Sequence, residues 1–154
     1  MPKVEAPVIG KDALGREVKD LSAIPWWGID RKEIEWYPKI NYDLCAGCGI
    51  CFVTCGRRVF DWDTERGVPI VARPYNCMVG CSTCATLCPC NAIEFPPKEY
   101  IKKWVAKARV TKKAFEIVGQ ITEKNHLSEE EITATPEQDS PGKGDRSNRI
   151  RPEF

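Results

Sequence analysis

Nine cysteines fall between Cys45 and Cys90 of a 154-residue chain, and eight of them form two clustered sets. The first reads Cys45-Ala-Gly-Cys48-Gly-Ile-Cys51-Phe-Val-Thr-Cys55. The second reads Cys77-Met-Val-Gly-Cys81-Ser-Thr-Cys84-Ala-Thr-Leu-Cys88. Thiols at such spacing do one of two kinds of chemistry: they crosslink, or they bind metal as thiolates. Met1–Gly10 mixes Pro, Lys and Glu without an apolar stretch, so no secretory leader is expected, and no run reaches the length of a bilayer span. The expected location is the cytoplasm, where thiols stay reduced, and metal is the expected use.

Spacing narrows the metal. Structural zinc takes cysteines in separate pairs, arranged tetrahedrally around one ion. Here three cysteines crowd into one short loop, twice. A short loop of this kind can wrap one side of a cube-shaped iron–sulfur cluster, each thiolate reaching a different iron. The fourth cysteine of each run is expected at the start of a helical turn leading away, where it suits another cluster. A C-x2-C-x2-C-x3-C run has this crossed logic in bacterial iron–sulfur carriers.

The flanks repeat as well. Tyr42 precedes the first run and Tyr75 the second. Val59-Phe60-Asp61-Trp62 aligns with Ala92-Ile93-Glu94-Phe95. Tandem duplication predicts two similar halves about a pseudo-twofold axis. Residues 40–96 resemble the bacterial-type two-cluster 2[4Fe-4S] ferredoxins. The resemblance implies that Cys45, Cys48, Cys51 and Cys88 hold cluster I, and that Cys77, Cys81, Cys84 and Cys55 hold cluster II. It also implies an α+β fold, a β-α-β-β-α-β two-cluster core, with strands near Lys39–Asp43, Val59–Asp63, Ile70–Pro74 and Ala92–Phe95 and helices after the third cysteines.

Three features depart from the simplest pattern of that family. The second run opens C-x3-C, with Gly80 in the added space. Gly56, not proline, follows Cys55, although Pro89 follows Cys88. The link between the runs is long, with Thr64-Glu65-Arg66-Gly67 reading as a hairpin tip. Cys90 aligns with Arg57 and is expected to be a small packed residue, not a ligand.

The elements that must position these cysteines lie on either side. Residues 1–38 form a charged arm, expected to pack on the 39–96 core through Trp26, Trp27 and Trp36. Residues 97–125 read as one basic amphipathic helix, with Ile101, Trp104, Ala108, Phe115 and Val118 on one face and Gly119 as its stop. Its other face carries Lys102, Lys103, Lys107, Arg109, Lys112 and Lys113. This segment holds eight Lys/Arg against three Asp/Glu. Residues 126–154 are polar, with four Lys/Arg against seven Asp/Glu, and read as a flexible tail containing His126 and Glu129-Glu130-Glu131.

Net charge is +1, so no field directs the chain to nucleic acid. There is no dinucleotide fingerprint, P-loop or flavin signature, and only one histidine. A stand-alone enzyme is not expected. The expectation is a ferredoxin relaying low-potential electrons between oxidoreductases, with an iron–sulfur subunit of a larger oxidoreductase as the alternative. A cluster-bearing regulator would need a second domain that the flanks do not offer. Backbone N–H groups of Ala46-Gly47, Gly49, Gly80 and Ser82-Thr83 are expected to approach the cluster sulfurs. Ile50, Phe52, Val53, Val79 and Leu87 are expected to exclude water. Redox partners are expected on the basic helix or the Trp-rich arm.

Overall fold

The computed structural model describes residues 5–125, with side chains to Ile121. The expected tail, His126 and Glu129-Glu130-Glu131 lie outside the described residues. Residues up to Phe115 form one compact unit and those from Glu116 a second.

Between residues 39 and 96 the order is β-α-β-β-α-β. Strand β3 (Lys39–Ile40) is followed by helix α1 (Ile50–Thr54) and strands β4 (Phe60–Asp63) and β5 (Val68–Val71). Helix α2 (Thr83–Leu87) and strand β6 (Ile93–Glu94) complete it. The ends of this segment close on each other, because β3 pairs antiparallel with β6, Lys39 opposite Glu94. Strands β4 and β5 form a hairpin with Asp63 opposite Val68. Its tip is the Thr64–Gly67 turn, where Asp63 Oδ1 accepts from the N–H groups of Glu65 and Arg66. Each helix begins one residue before the third cysteine of its run and runs only five residues. Cys55 and Cys88 therefore cap the C-terminal ends of these helices. This corrects the expectation that they begin a helical turn.

The arm is more ordered than its charge and prolines indicate. Strands β1 (Val8–Lys11) and β2 (Glu17–Lys19) pair antiparallel. Three contacts tie this hairpin down. Buried Asp12 receives the backbone N–H groups of Leu14 and Arg16 and the Arg16 Nε at 2.7 Å. Arg16 then reaches across to the Phe52 and Val53 carbonyls at the end of α1. Its guanidinium lies 4.9 Å from the Phe52 ring centre. A cation at a helix C-terminus meets the free carbonyls and the negative end of the dipole.

Further along the arm, Ile34 and Trp36 join the core cluster with Cys51, Phe52, Val59, Phe60, Cys77 and Ile93. Asn76 bridges arm and core from a buried position. Its Oδ1 accepts from Leu21 N–H, and its Nδ2 donates to the Lys19 and Arg57 carbonyls.

The segment after Pro97 is two helices, not one: α3 (Lys98–Lys107) and α4 (Val110–Asn125). The break is at Arg109, whose φ is +51°. Ala108, just before it, is buried, while Phe115 and Val118 are exposed. The apolar face expected from 101 to 118 thus meets the core through Ile101 and Trp104, with Ala108 buried beside them, and not through its second half. Gly119 does not stop the helix, which runs on to Asn125. Two of the expected basic residues are engaged within the first unit. Lys107 pairs with Glu33 at 3.4 Å and covers the Trp104 ring, and Lys113 Nζ donates to the Trp27 carbonyl at 2.6 Å. No described helix is long and apolar enough to cross a membrane.

Candidate metal centre

The two cysteine runs cross in space. Cys45, Cys48 and Cys51 line a cavity of about 20 Å³ together with Cys88, the last cysteine of the other run. Ile40, Pro69, Ala92 and Ile93 complete its apolar walls. Cys77, Cys81 and Cys84 line a second cavity, of about 150 Å³, with Cys55. Pro38, Val59, Phe60 and Met78 help to wall it. Among the described residues no three Cys, His, Asp or Glu side chains gather on a single-ion site. Each quartet surrounds a space instead. Four sulfur donors around a mostly apolar space, with no carboxylate or imidazole in either lining, match the donor chemistry of a [4Fe-4S] group.

Left-handed backbone shapes the two loops. Gly47 and Gly49 have φ of +66° and +75°, and a Cβ on Gly47 would stand 2.7 Å from the Gly67 carbonyl oxygen. The first loop therefore rests directly on the β4–β5 hairpin tip, and only glycine permits that approach. In the second loop Gly80 takes φ +93°, absorbing the extra residue of the C-x3-C spacing, with Ile101 Cδ1 as its nearest neighbour.

Burial sets the thiol acidities. It pushes Cys51 up to about 11, and Cys77 and Cys84 up to about 12. Neighbouring thiols push the same way in each case. As bare thiols these three hold their protons at neutral pH, and only a metal's positive charge displaces them. Cys90 is half-buried and lines neither cavity.

Of the expected water-excluding residues, Phe52 is buried and Val79 packs half-buried against the core, but Ile50, Val53 and Leu87 are exposed. Val59, Phe60, Ile40 and Ile93 take that role. A backbone N–H does reach a sulfur, but from outside the expected loops: Ala92 N–H donates to Cys88 Sγ at 3.3 Å.

Three residues of the second quartet also receive side-chain donors on their backbone carbonyls. Arg31 donates to Cys77, Arg58 to Cys55, and Trp36 Nε1 to Cys81. Trp36 was expected to pack the arm on the core, but none of these hydrogen bonds was expected from sequence, because an isolated Arg, in the arm as Arg31 or in the core as Arg58, carries no spacing signal. Trp36 left a trace. Phe52 aligns with Ala85 in the duplicated unit, so one half lacks an aromatic that the other has.

No family model matches the chain. Curated relatives do. An uncharacterised ferredoxin of Methanocaldococcus jannaschii is 44% identical over 75 residues, covering 47% of this chain and 49% of the relative. Ferredoxin-3 of a Nostoc species is 37% identical over 84 residues, covering 42% of this chain and 86% of the relative. The NAD-dependent dihydropyrimidine dehydrogenase subunit PreA of Escherichia coli is 34% identical over 82 residues, covering 51% of this chain but 19% of the relative. The chain thus spans about half the length of the first of these relatives and most of the second.

Proposed function

The chain belongs to the ferredoxin family, and on that premise we propose that it carries electrons one at a time through two [4Fe-4S] groups. The single observation that carries the reading is the crossing: each cavity is lined by three cysteines of one run and the fourth of the other. On this reading Cys45, Cys48, Cys51 and Cys88 hold cluster I, and Cys77, Cys81, Cys84 and Cys55 hold cluster II. The core is then a duplicated β-α-β-β-α-β unit, extended by the arm and by α3 and α4. When bound, each such group takes up and releases one electron at a potential set by its surroundings.

The chain's own residues supply those surroundings. Phe60, Val59, Ile40 and Ile93 keep water from the sulfurs. Gly47, Gly49 and Gly80 give the loops the curvature that turns several thiolates inward. Cys55 and Cys88, at the ends of short helices, join the halves so that neither site is complete without the other run.

The partners in this reading are oxidoreductases. Lys102, Lys103, Arg109 and Lys112 remain exposed for an acidic redox partner, whereas Lys107 and Lys113 are engaged within the chain. A dedicated iron–sulfur subunit is the second reading, supported by how deeply the arm is built into the core through Arg31, Ile34 and Trp36.

Anaerobic purification with iron and acid-labile sulfide analysis, and EPR of the dithionite-reduced protein, tests the reading. The expected result is eight irons per chain and interacting [4Fe-4S]⁺ signals. A colourless protein carrying zinc would overturn it.

A further inference from the structure

Arg31 is 4% exposed and is charged. Burying a cation is costly unless an anion or good hydrogen bonds compensate. Its Nε and Nη2 donate to the Cys77 carbonyl at 3.1 and 2.8 Å, Nη1 to the Ile34 carbonyl at 2.5 Å, and Nη2 to the Trp36 carbonyl at 2.6 Å. Its guanidinium also lies 5.7 Å from the Tyr75 ring centre. Carbonyls and a ring are dipoles and quadrupoles; none is an anion. Among the described residues no carboxylate lies within ion-pair distance of Arg31. Burial accordingly pushes its pKa down from the usual arginine value, with the Cys77 sulfur the first group opposing that. Through the Cys77 carbonyl Arg31 is bound to the quartet that Cys77 begins, whose sulfurs would carry formal negative charge when they hold a cluster as thiolates.

The two quartets differ in this respect. On the second, Arg31 and Arg58 both donate to ligand carbonyls, at Cys77 and Cys55, and of the two Arg31 alone has no carboxylate in reach, since Arg58 Nε lies 4.0 Å from Asp12. On the first, no described side-chain cation donates to the carbonyls of Cys45, Cys48, Cys51 or Cys88. Arg16 comes nearest, at Phe52 and Val53, but its charge is matched by Asp12 at 2.7 Å. Charges interact strongly across a dry interior, and each added electron makes a thiolate-bound site more negative. An unmatched buried cation therefore favours the reduced form of the site it faces.

We propose that Arg31 is the counter-charge of the Cys55–Cys77–Cys81–Cys84 quartet and holds the cluster bound there at a higher reduction potential than the cluster at the Cys45–Cys48–Cys51–Cys88 quartet. The inference rests on the two-cluster reading above. It gives the relay a direction: an electron arriving at the first quartet, whose Cys48 is exposed, comes to rest at the second.

The test is an EPR-monitored redox titration of the full chain as wild type, Arg31→Lys and Arg31→Met, with iron counted in each sample. Wild type is expected to titrate in two separate steps. In Arg31→Met the higher potential falls towards the lower one, while Arg31→Lys keeps most of the separation because it keeps the charge. Fewer than eight irons in wild type would remove the cofactor reading itself. Eight irons with unmoved potentials in Arg31→Met would overturn the role of Arg31 alone, and so would an equal shift in both variants, which would mark a purely structural part. Should Arg31→Met lose its second cluster, the half-reduced wild type decides by paramagnetic NMR. Reduced-cluster shifts on the β-protons of Cys55, Cys77, Cys81 and Cys84 support the proposal. The same shifts on Cys45, Cys48, Cys51 and Cys88 overturn it.

Discussion

Trp36 of the arm stacks on Phe95 with ring centres 5.4 Å apart and planes 27° from parallel. In the other half of the duplicated unit Phe52 stacks on Trp62 at 5.9 Å and 30°. Phe95 and Trp62 are equivalent positions, but Phe52's equivalent is Ala85, which offers no ring. The arm therefore supplies the aromatic that the second half lacks, and it does so with a residue whose Nε1 also donates to the Cys81 carbonyl at 3.0 Å.

Trp36 is 2% exposed, so its removal leaves a large void beside the second quartet. Trp36→Ala is expected to cost ~3–5 kcal/mol, as large-to-small changes of buried aromatics do. Trp36→Phe keeps the stack and loses one hydrogen bond, for about 1 kcal/mol. Anaerobic thermal melts of the loaded protein check the ranking. Equal losses in the two variants would show that the hydrogen bond and not the stack holds the arm.

Asp12 anchors the β1–β2 hairpin to α1 through Arg16. Burial acts to raise its carboxyl pKa, but the Arg16 and Leu14 N–H groups and the Arg16 guanidinium outweigh it, and the net shift is downward from 3.8. A carboxyl with a depressed folded pKa stabilises the fold above its unfolded value and loses that contribution as pH falls through the folded one. Asp12→Asn is therefore expected to be less stable than wild type at pH 7, by about 1–3 kcal/mol for a buried charge-assisted network. The two proteins should converge as pH drops below 3.8. A gap between their unfolding free energies that stays constant down to strongly acid pH would remove ionised Asp12 as the anchor.

What was legible in the sequence was what covalent spacing constrains. Cysteines three or four residues apart can share a short loop whatever the rest of the chain does, and Thr64-Glu65-Arg66-Gly67 fits a hairpin whatever flanks it. Gly80 was legible because an inserted residue needs backbone freedom. The break at Arg109 was not: it rests on a left-handed residue that is neither glycine nor asparagine, inside a pattern whose apolar spacing continues across it. The β1–β2 hairpin was hidden because all of β1 is exposed and β2 offers only Val18 as a buried residue, too little alternation to mark a strand pair. Arg31 was hidden for a different reason: its partners are backbone carbonyls, which every sequence has.

Gly47 and Gly80 both hold left-handed angles, and they differ in what surrounds them. Alanine at either position carries about 1–2 kcal/mol of backbone strain. At Gly47 the methyl group also meets the Gly67 carbonyl oxygen at 2.7 Å, and backbone of a packed hairpin yields little. At Gly80 the nearest atom is the end of the Ile101 side chain, 3.8 Å away. Gly47→Ala is expected to lose more iron on purification than Gly80→Ala. The reverse order would mean that the extended loop, and not the hairpin contact, limits assembly.

The crossing makes a sharper demand on Cys55 and Cys88. If each closes the cavity of the opposite run, then Cys55→Ala removes a ligand from the site of Cys77, Cys81 and Cys84 and leaves Cys45, Cys48, Cys51 and Cys88 intact. The variant should be depleted at the second site, as a missing iron or a lost cluster. The EPR of the surviving four-iron centre should lack the splitting that a reduced neighbour imposes. Cys88→Ala should give the mirror result, depleting the first site. Cys90→Ser should keep eight irons and the wild-type spectrum, because Cys90 lines neither cavity. Selective cyanylation of the apo-protein cannot separate these cases, but Mössbauer spectra of the two alanine variants can, since each retains a different four-cysteine site. If Cys55→Ala depleted the first site instead, the ligands would not cross, and each run would hold its own cluster with all four of its cysteines.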